Sequence, residues 1–446
     1  MQSTTGIHRG SLIALASLTY ISVTTLAFHI PISTVHNVRT IHVPTNSHDG
    51  LSTRRSSRIS SLKMIESSDA GAGVNAVVQQ NKAKPRKGPL AFLLDLALQS
   101  PLWELVLVPQ ARDSMVKTAE ANGINWIEAY DWISSDPSGP WNAQTQTMTS
   151  TNIVKEYPNY YLKPFHGYES GNLCWKAAFE QELALKAVGA RNFPEYGSEG
   201  AKAFRDAFDS ALTDLGASIP KGGAILDMGC GTGMSTRNVA NKYPQAKKVI
   251  GIDLSHYFIE VGKYLLDRAP KGYAEGGPWV TSISLDPRIE LSTGDITNTD
   301  LSDESVDVVN LSLVIHELPV SATVSAVDEA YRLLKPGGQL WICEMDFDSP
   351  AYAAQRDNGL LFSLLRATEP FLDDYADGCD SVRQHIVEKF DRVSTSAATG
   401  RHFALVATKA TNESIVAKTE LEDIRFDAEG NYRVEDTHLK PWEAKK

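Results

Sequence analysis

The hydrophobic and polar positions of the chain follow two kinds of spacing in its second half. Short runs rich in β-branched residues alternate there with stretches that repeat every 3.6 residues, the period of an amphipathic helix. Strands that alternate with helices are typical of crossover units, in which helices cover both faces of a parallel sheet. The predicted strands are 224–228, 248–252, 288–292, 306–312 and 339–345. The pattern therefore predicts a doubly wound α/β fold.

Two more strand candidates, 391–396 and 402–408, lie near the C-terminus. A connection as short as the one between them suits an antiparallel hairpin. Upstream of the sheet, apolar residues recur at helical spacing over 89–133 and in stretches around 175–188 and 201–215. We therefore expect an N-terminal helical extension, followed by a sheet whose last strand is antiparallel.

The N-terminus has the composition of a targeting leader. Residues 11–27 are apolar, follow Arg9 and end in small residues before Phe28, which is the design of a secretory signal peptide. Residues 28–64 are rich in Arg and Ser and contain one acid, as transit peptides do. The apolar stretch is too short and too rich in Ser and Thr to predict a membrane span. The predicted segments are signal peptide 1–27, transit peptide 28–64 and linker 65–88.

This order resembles the bipartite leader of algae whose plastids came from a red alga, and the Ala27–Phe28 junction matches the cleavage point of such leaders. The resemblance implies a plastid protein with no integral membrane span after processing. Simple secretion and a disordered tail remain the alternatives.

The net charge argues against nucleic-acid binding, and the cysteine spacing argues against a zinc site. Residues 1–64 hold six Lys/Arg and one Asp, so the remainder has 37 basic and 53 acidic residues and a net charge of −16. So acidic a domain is a poor partner for a phosphate backbone, which disfavours nucleic acid. The cysteines form no CxxC pair and no zinc spacing, and we expect reduced thiols. They are Cys174, Cys230, Cys343 and Cys379.

A glycine-rich loop follows the first predicted strand, in the stretch ILDMGCGTGMST. The strand ends at Asp227, and a glycine occupies every second position from 229 to 233 before a helix begins. Glycine lets a backbone approach a ligand closely and adopt positive φ. The dinucleotide fingerprint needs its third glycine at position 234, which is Met234, so a nicotinamide dehydrogenase is disfavoured.

The pattern D-x-G-x-G-x-G resembles the first motif of class I S-adenosylmethionine-dependent methyltransferases. Asp253 and Asp295 stand at the ends of the next two predicted strands, in register with that family. The resemblance implies S-adenosyl-L-methionine as cofactor, with Asp253 on the ribose hydroxyls and Asp295 and Ile296 beside the adenine. The implied cofactor-binding residues are Asp227, Gly229, Cys230, Gly231, Gly233, Asp253, Leu254, Asp295, Ile296 and Asn310.

The resemblance covers about half of the chain and implies a seven-stranded Rossmann-like sheet with an antiparallel last strand. The sequence YRLLKPGGQLWICE matches the family's helix, turn and fifth strand, with the turn at 336–338. The implied organisation is a helical extension and lid at 89–199, a methyltransferase domain at 200–410 and a C-terminal tail at 411–446.

The stretch VIHELP contains His316 and Glu317, which begin like a zinc-hydrolase H-E-x-x-H helix. The second histidine would fall at Val320, and Pro319 would break the helix, so no metal site is expected. In the methyltransferase frame the pair follows the fourth strand, at the sheet edge where ligands bind. We expect His316 to act as general base or to orient the acceptor, or else only to pack the loop, and Glu317 to fix that loop.

A second informative stretch, 157–182, crowds aromatic residues before a helix and resembles the same part of plastid methyltransferase-like proteins of plants and algae. Segments of this kind cap the cofactor and line the acceptor pocket in small-molecule methyltransferases. The lid candidates are Tyr168, Asn172 and Trp175, and residues 367–378 are expected to form a second wall.

Two acceptor classes are open. A thioether or another small organic acid needs no base but needs a cation for its carboxylate, such as Lys163, Arg366 or Arg401. A prenylated quinol needs a base such as His316, and HELP resembles quinone C-methyltransferases. We favour S- or O-methylation of a small organic acid, such as a methylthio-hydroxy acid thioether, over quinol C-methylation. A catalytically silent S-adenosylmethionine-binding protein is the alternative of another class.

Overall fold

The structure is a computed structural model of the chain, and all the residues it describes lie in the unit Arg86–Lys446. The predicted signal peptide, transit peptide, linker and residues 89–107 lie outside the described residues. Within the described part, no helix is long and apolar enough to cross a membrane. The structure describes residues 108–142, 156–268, 286–357, 362, 365–366, 368–411 and 421–433.

Helices precede the sheet and then alternate with its strands. Short 3₁₀ turns occupy Pro194–Glu199 and Ile315–Glu317. The helices are α1 Val108–Ala121, α2 Trp126–Ser135, α3 Trp175–Asn192, α4 Gly200–Asp214, α5 Met234–Lys242, α6 His256–Arg268, α7 Val320–Leu333, α8 Pro350–Asp357 and α9 Leu372–Lys389.

The strands form one mixed sheet in the order β3-β2-β1-β4-β5-β7-β6-β8. Strands β1 to β5 are mutually parallel, whereas β7 is antiparallel to both β5 and β6. The predicted doubly wound fold, its closing hairpin and its reversed strand are therefore confirmed. The strands are β1 Ala224–Met228, β2 Lys248–Asp253, β3 Ile289–Thr293, β4 Val306–Ser312, β5 Leu334–Met345, β6 Arg392–Ala397, β7 His402–Thr408 and β8 Leu421–Asp423.

The strand count differs from the prediction by one. Strand β8 lies in the predicted C-terminal tail and pairs in parallel with β6, with Val393 opposite Leu421 and Thr395 opposite Asp423. Three residues are too few to show an alternating pattern, so the sequence gives no sign of this strand. Among the described residues the sheet therefore has eight strands where the sequence predicted seven.

The predicted turn at 336–338 lies inside β5. Leu334 pairs with Val306 and Gln339 pairs with Val308, so the four residues between Leu334 and Gln339 bulge out of the ladder opposite a single residue of β4. Gly337 has a φ of 77°, a conformation that glycine adopts without strain. The predicted turn is therefore a bulge within a longer strand.

The sheet separates two apolar cores, because neighbouring residues of one strand point to opposite faces. Ile225 packs in the core that contains Phe204 of α4, whereas Leu226 packs in the core that contains Leu333 of α7. Burial of such a side chain stabilises the fold by about 1.5–3 kcal/mol. Both faces are covered, which is why the central strands read as nearly continuous apolar runs.

The helical extension packs against α6 at one side of the sheet. Ile133 of α2 and Leu183 of α3 share a core with Phe258 and Leu265 of α6. Because α6 directly follows β2, this packing brings the segment that precedes α3 close to the carboxyl end of β2.

Candidate active site

The carboxyl ends of neighbouring parallel strands bring the polar residues together. In open α/β sheets ligands bind at this edge, where the strand order reverses, and here the reversal falls between β1 and β4. The strand-end residues are Asp227 of β1, Asp253 of β2, Asn310 of β4 and Glu344 of β5.

The glycine loop lies against the end of β2. The backbone N–H groups of Gly229 and Cys230 donate to the carbonyl oxygen of Ile252, at 2.8 Å and 3.0 Å. Gly229 has a φ of 71°, and a Cβ there would lie 2.8 Å from the side chain of Val314, which follows β4. Gly233, with a φ of 87°, begins α5. Only glycine lets the loop follow this path.

Gly231 joins the loop to the acid at the end of β2. Its N–H donates to Asp253 Oδ2 at 2.9 Å. On the other side of the loop, Gln181 Oε1 accepts from the N–H of Thr232 at 2.7 Å and from its hydroxyl at 2.8 Å. A Cβ at Gly231 would lie 1.8 Å from Gln181 Nε2. Helix α3 therefore holds the glycine loop in place.

Asp227 braces three elements of the site. Its carboxylate accepts hydrogen bonds from Ser235 at 2.6 Å, from Thr236 at 2.7 Å and from the Asn310 amide at 2.7 Å. Burial raises the pKa of Asp227, and these three hydrogen bonds act in the opposite direction. Asp227 and Asn310, both predicted as cofactor-binding residues, thus also fix β1 to β4 and α5.

Asp253 is 8% exposed and already accepts a hydroxyl group. Its Oδ1 accepts from the N–H of Ser255 at 2.8 Å and from the hydroxyl of Tyr161 at 3.3 Å. Burial raises the pKa of Asp253 to about 6, while its hydrogen bonds lower it. A strand-end carboxylate oriented to accept a hydroxyl fits the predicted ribose contact.

The third predicted acid lies at the neighbouring strand end. The N–H of Gly294 donates to the carbonyl oxygen of Asp253 at 3.0 Å. Asp295 accepts from Thr297 N–H at 2.8 Å and from its hydroxyl at 2.7 Å. Leu254 and Ile296 are both buried apolar side chains. The structure thus brings the predicted ribose and adenine residues together at adjacent strands.

A lid of residues 156–174 lies over the end of β2. The rings of Tyr157 and Tyr161 stack with centroids 6.1 Å apart, and the Tyr157 hydroxyl is 2.9 Å from His256 Nδ1. The Asn172 side chain hydrogen-bonds Tyr161, and the backbone carbonyl oxygen of Asn172 accepts from the Ser255 hydroxyl at 2.6 Å. Sequence reasoning missed both tyrosines, although the run YPNYY offered a signal.

Tyr168 contacts the helical extension, and Trp175, the first residue of α3, contacts α6. The hydroxyl of Tyr168 donates to Glu180, which also pairs with Arg112. Trp175 packs edge-on against Tyr257, with ring centroids 4.9 Å apart. By these contacts Asn172 holds the lid over the end of β2, whereas Tyr168 and Trp175 fix the lid to the neighbouring helices.

His316 is buried and held between two glutamates. Its Nδ1 lies 2.8 Å from Glu344 Oε1, and its Nε2 lies 3.6 Å from Glu369 Oε2. The ring of Tyr375 stands edge-on to the imidazole, with centroids 6.3 Å apart. Helix α7 begins only at Val320, after Pro319, so His316 lies on a 3₁₀ turn and not on a zinc-binding helix.

The carboxylates decide the charge of His316. Burial alone would lower its pKa, but Glu344, Glu369 and Glu317 outweigh burial and raise it to about 10. Burial raises the pKa of Glu317 to about 8 and also raises that of Glu369. His316 is therefore an imidazolium at neutral pH. The titratable groups that face it are His166, Glu317, Glu344, Glu369, Tyr375 and His402.

The second wall is partly as expected. Glu369 and Tyr375, both in the stretch 367–378, contact His316, while Ala367 lies outside the described residues. Glu344 and Glu369 were not among the predicted site residues, because nothing in their spacing marks them.

The three side chains predicted as cations for an acceptor carboxylate contact other residues of the chain. Lys163 lies 4.5 Å from the ring centroid of Phe371, Arg366 pairs with Asp373, and the Arg401 guanidinium lies 5.9 Å from the ring centroid of Tyr352. The described residues contain no cluster of His, Cys, Asp and Glu that could hold a metal ion. All four cysteines are free thiols.

Comparisons with known proteins agree with this site. Residues 226–342 match the family described as "Methyltransferase domain". Mouse arsenite methyltransferase is 28% identical over 196 residues, 43% of this chain and 47% of that protein. Demethylmenaquinone methyltransferase of Lactobacillus johnsonii is 29% identical over 126 residues, 28% of this chain and 45% of that protein. The chain thus spans less than half the length of these two relatives.

Among solved structures, human N-acetylserotonin methyltransferase in complex with SAM is 18% identical, with a TM-score of 0.35, over 53% of this chain and 58% of that one. A likeness at this level carries no functional argument. The family match spans the glycine loop, Asp253 and Asp295, and the hydroxyl-accepting Asp253 fits the cofactor. Residues 226–342 are therefore assigned to a methyltransferase domain with the class I arrangement of strands, and the match supports S-adenosyl-L-methionine as the cofactor of that domain.

Proposed function

We propose that the protein transfers the methyl group of S-adenosylmethionine to a hydroxyl group of a small, weakly acidic acceptor such as a phenol or a quinol. The observation that carries this proposal is the buried His316, bonded through Nδ1 to Glu344 at 2.8 Å, at the carboxyl edge of the sheet. Asp253, the glycine loop and Asp295 would hold the cofactor, which supplies an activated methyl group.

Hydroxyl acceptors and thioether acceptors differ in whether methyl transfer requires a base. The activated methyl group leaves alignment and exclusion of water as the main tasks of the protein. A thioether attacks with a lone pair and loses no proton, so it has no use for His316 as a base. A small organic acid would bring its carboxylate towards Glu344 and Glu369, which flank His316. These contacts favour O-methylation over the S-methylation that the sequence left open.

The Glu344 contact fits His316 for proton transfer. In the neutral form of His316, which gains population as the pH approaches about 10, Glu344 accepts the Nδ1 proton and leaves Nε2 to take a proton from the acceptor. The pKa of His316, about 10, is close to that of a phenol, also about 10. Proton transfer from a phenolic hydroxyl to the neutral imidazole is then nearly balanced in free energy.

A second candidate is C-methylation of a quinol ring. The relative from Lactobacillus johnsonii is named for demethylmenaquinone, and a quinol hydroxyl would give its proton to the same histidine. The mouse relative is named for arsenite. Arsenic is a soft acceptor that thiols would bind, but Cys230 and Cys343 are buried, which disfavours arsenite.

We also propose that the protein acts in a plastid. The support is the composition of residues 1–64, a signal-like stretch followed by an Arg/Ser-rich and acid-poor one. Such a leader would be removed on import.

Replacing Asp253 with Asn should weaken binding of S-adenosylmethionine and of its demethylated product. The lost hydrogen bonds are charge-assisted, so we expect a loss of about 1.5–3 kcal/mol, measured by calorimetry. Asp300→Asn, at an exposed site, is the control. Because the Asp253 pKa is about 6, wild-type affinity should also fall as the pH drops below that value. Equal affinities of the wild type and both variants would contradict the ribose contact.

Replacing His316 with Gln should lower turnover by roughly 10²–10⁴-fold, the usual contribution of a general base, and leave cofactor affinity unchanged. Labelled-methyl transfer to a panel of phenols, quinols and thioethers, reported as separate kcat and KM values, measures this effect. His385→Gln is the matched control, because His385 lies on α9 and bonds Asp328. A wild-type rate in His316→Gln with every acceptor would reduce His316 to a loop residue.

Wild-type turnover should rise with pH towards about 10, as His316 loses its proton. Glu344 raises that pKa, so Glu344→Gln should move the midpoint of the pH–rate profile to lower pH. Rates measured from about pH 6 to pH 10.5 test the shift. An unchanged midpoint in Glu344→Gln would show that His316 does not control the profile.

A reporter fused to residues 1–64 should enter the plastid of an alga with a red-alga-derived plastid. Phe28→Ala should leave the reporter outside that plastid, and a fusion carrying residues 28–64 alone should stay in the cytosol. Fluorescence microscopy distinguishes these outcomes. Secretion of the intact fusion would refute the bipartite leader.

A further inference from the structure

The C-terminal clasp, defined as residues 421–433, reaches one buried carboxylate in the main domain. Arg425 Nη1 donates to Asp346 Oδ1 at 2.8 Å, and the hydroxyl of Tyr432 donates to Asp346 Oδ2 at 2.8 Å. Side-chain exposure is 3% for Arg425 and 0% for Asp346. Two side chains from opposite ends of the clasp thus converge on Asp346.

The guanidinium of Arg425 is fixed within the clasp as well. Its Nη2 donates to Asp423 Oδ2 at 2.7 Å, and its plane lies over the rings of Phe403 and Phe426, at 5.9 Å and 5.4 Å from their centroids. The backbone N–H of Arg433 closes the clasp on the Arg425 carbonyl oxygen at 2.6 Å. Removing one partner of such a buried pair leaves an uncompensated charge, so its geometry is strongly enforced.

Asp346 is the first residue beyond β5, and Glu344 lies two residues before it. The N–H of Asp346 donates to the Arg401 carbonyl oxygen at 2.8 Å. The N–H of Met345 donates to Glu344 Oε1 at 2.7 Å, the same oxygen that contacts His316 Nδ1. The anchor on Asp346 thus lies two residues from the Glu344 carboxylate that contacts His316.

Helix α9 meets the clasp at the same loop. Arg383 donates to Asp348 Oδ2 at 3.0 Å, and Arg425 reaches that oxygen at 3.2 Å. Tyr375, on the same helix, donates to the Met345 carbonyl oxygen and faces the ring of His316. Clasp and helix together hold the end of β5.

We propose that the C-terminal clasp is a positioning element of the acceptor site, in which Arg425 and Tyr432 act through Asp346 to hold Glu344 against His316. Its catalytic consequence rests on the proposed function, whereas its effect on the surroundings of His316 does not. Arg425 and Tyr432 touch no reacting group and are positioning residues.

The test compares Tyr432→Phe and Arg425→Gln with Glu422→Gln in the full chain. Glu422 lies in the same clasp but bonds Ser394 of β6, so it is the matched control. Two-dimensional NMR of protein with ¹⁵N-labelled histidine follows the titration of each imidazole, and the signal lost in His316→Gln assigns His316. Thermal unfolding confirms that every variant is folded at the temperature used.

Both clasp variants should lower the titration midpoint of His316 towards the ordinary value of about 6.5, because Glu344 is held less closely. Glu422→Gln should leave it unchanged. Turnover should fall by about 10-fold to 10²-fold, the range expected for small displacements of a reacting group, with cofactor affinity unchanged. If Arg425→Gln does not fold, Tyr432→Phe, which loses one oxygen atom, decides alone.

A wild-type midpoint for His316 in the folded clasp variants would overturn the proposal, even if their unfolding temperature is lower. A wild-type protein that transfers no methyl group to any acceptor would overturn the proposed function instead. The titration would then still decide whether the clasp positions Glu344.

Discussion

The carboxylate of Asp253 is the contact on which the cofactor half of the site depends. It accepts an N–H of the glycine loop at Gly231, an N–H of the next helix at Ser255 and the hydroxyl of Tyr161 in the lid. The glycine loop and the lid, both distant in sequence from Asp253, thus meet on one side chain next to the start of α6. Burial opposes its ionisation, so the carboxylate stays charged near neutral pH only because donors surround it. A ligand with hydroxyl groups at this position would donate hydrogen bonds to a carboxylate that the fold has already oriented.

In the acceptor half of the site, around His316, the charged side chains are instead paired with one another. A single imidazolium, His316, lies between Glu344 and Glu369, and burial of such charges is tolerated only when partners compensate them. The partners come from the end of β5 and from the segment before α9. The precision of this half therefore depends on elements that close the sheet, including a clasp that begins more than seventy residues after Glu344.

Sequence reasoning succeeded where one segment carries the whole signal. Strands β1 and β4 are bounded as predicted, because each is a buried apolar run next to residues that end it. Asp227, Asp253 and Asp295 could be placed because each lies within two residues of the end of a strand and the sheet brings strand ends together. Glu344, Glu369 and Tyr161 could not be identified as site residues from the sequence, because only the packing of distant segments brings them to the site. Strand β8 was missed for a related reason, since its pairing with β6 exists only in the folded chain.

The protonation state of Glu317 affects the repulsion between the cofactor half and the acceptor half of the site. Burial is the main cause that raises the pKa of the Glu317 carboxyl group to about 8, the charge of His316 acts in the opposite direction, and Glu369, Asp253 and Glu344 also raise the pKa. At pH 7 most molecules therefore carry Glu317 as the neutral acid. A neutral side chain between Asp253 and the other carboxylates reduces the repulsion that four negative charges would create in a poorly solvated site. The same proton would leave as the pH rises through about 8, so repulsion between the two halves should grow above that value. The electrostatic repulsion between the cofactor half and the acceptor half thus depends on the proton of Glu317 as well as on the distance between the carboxylates.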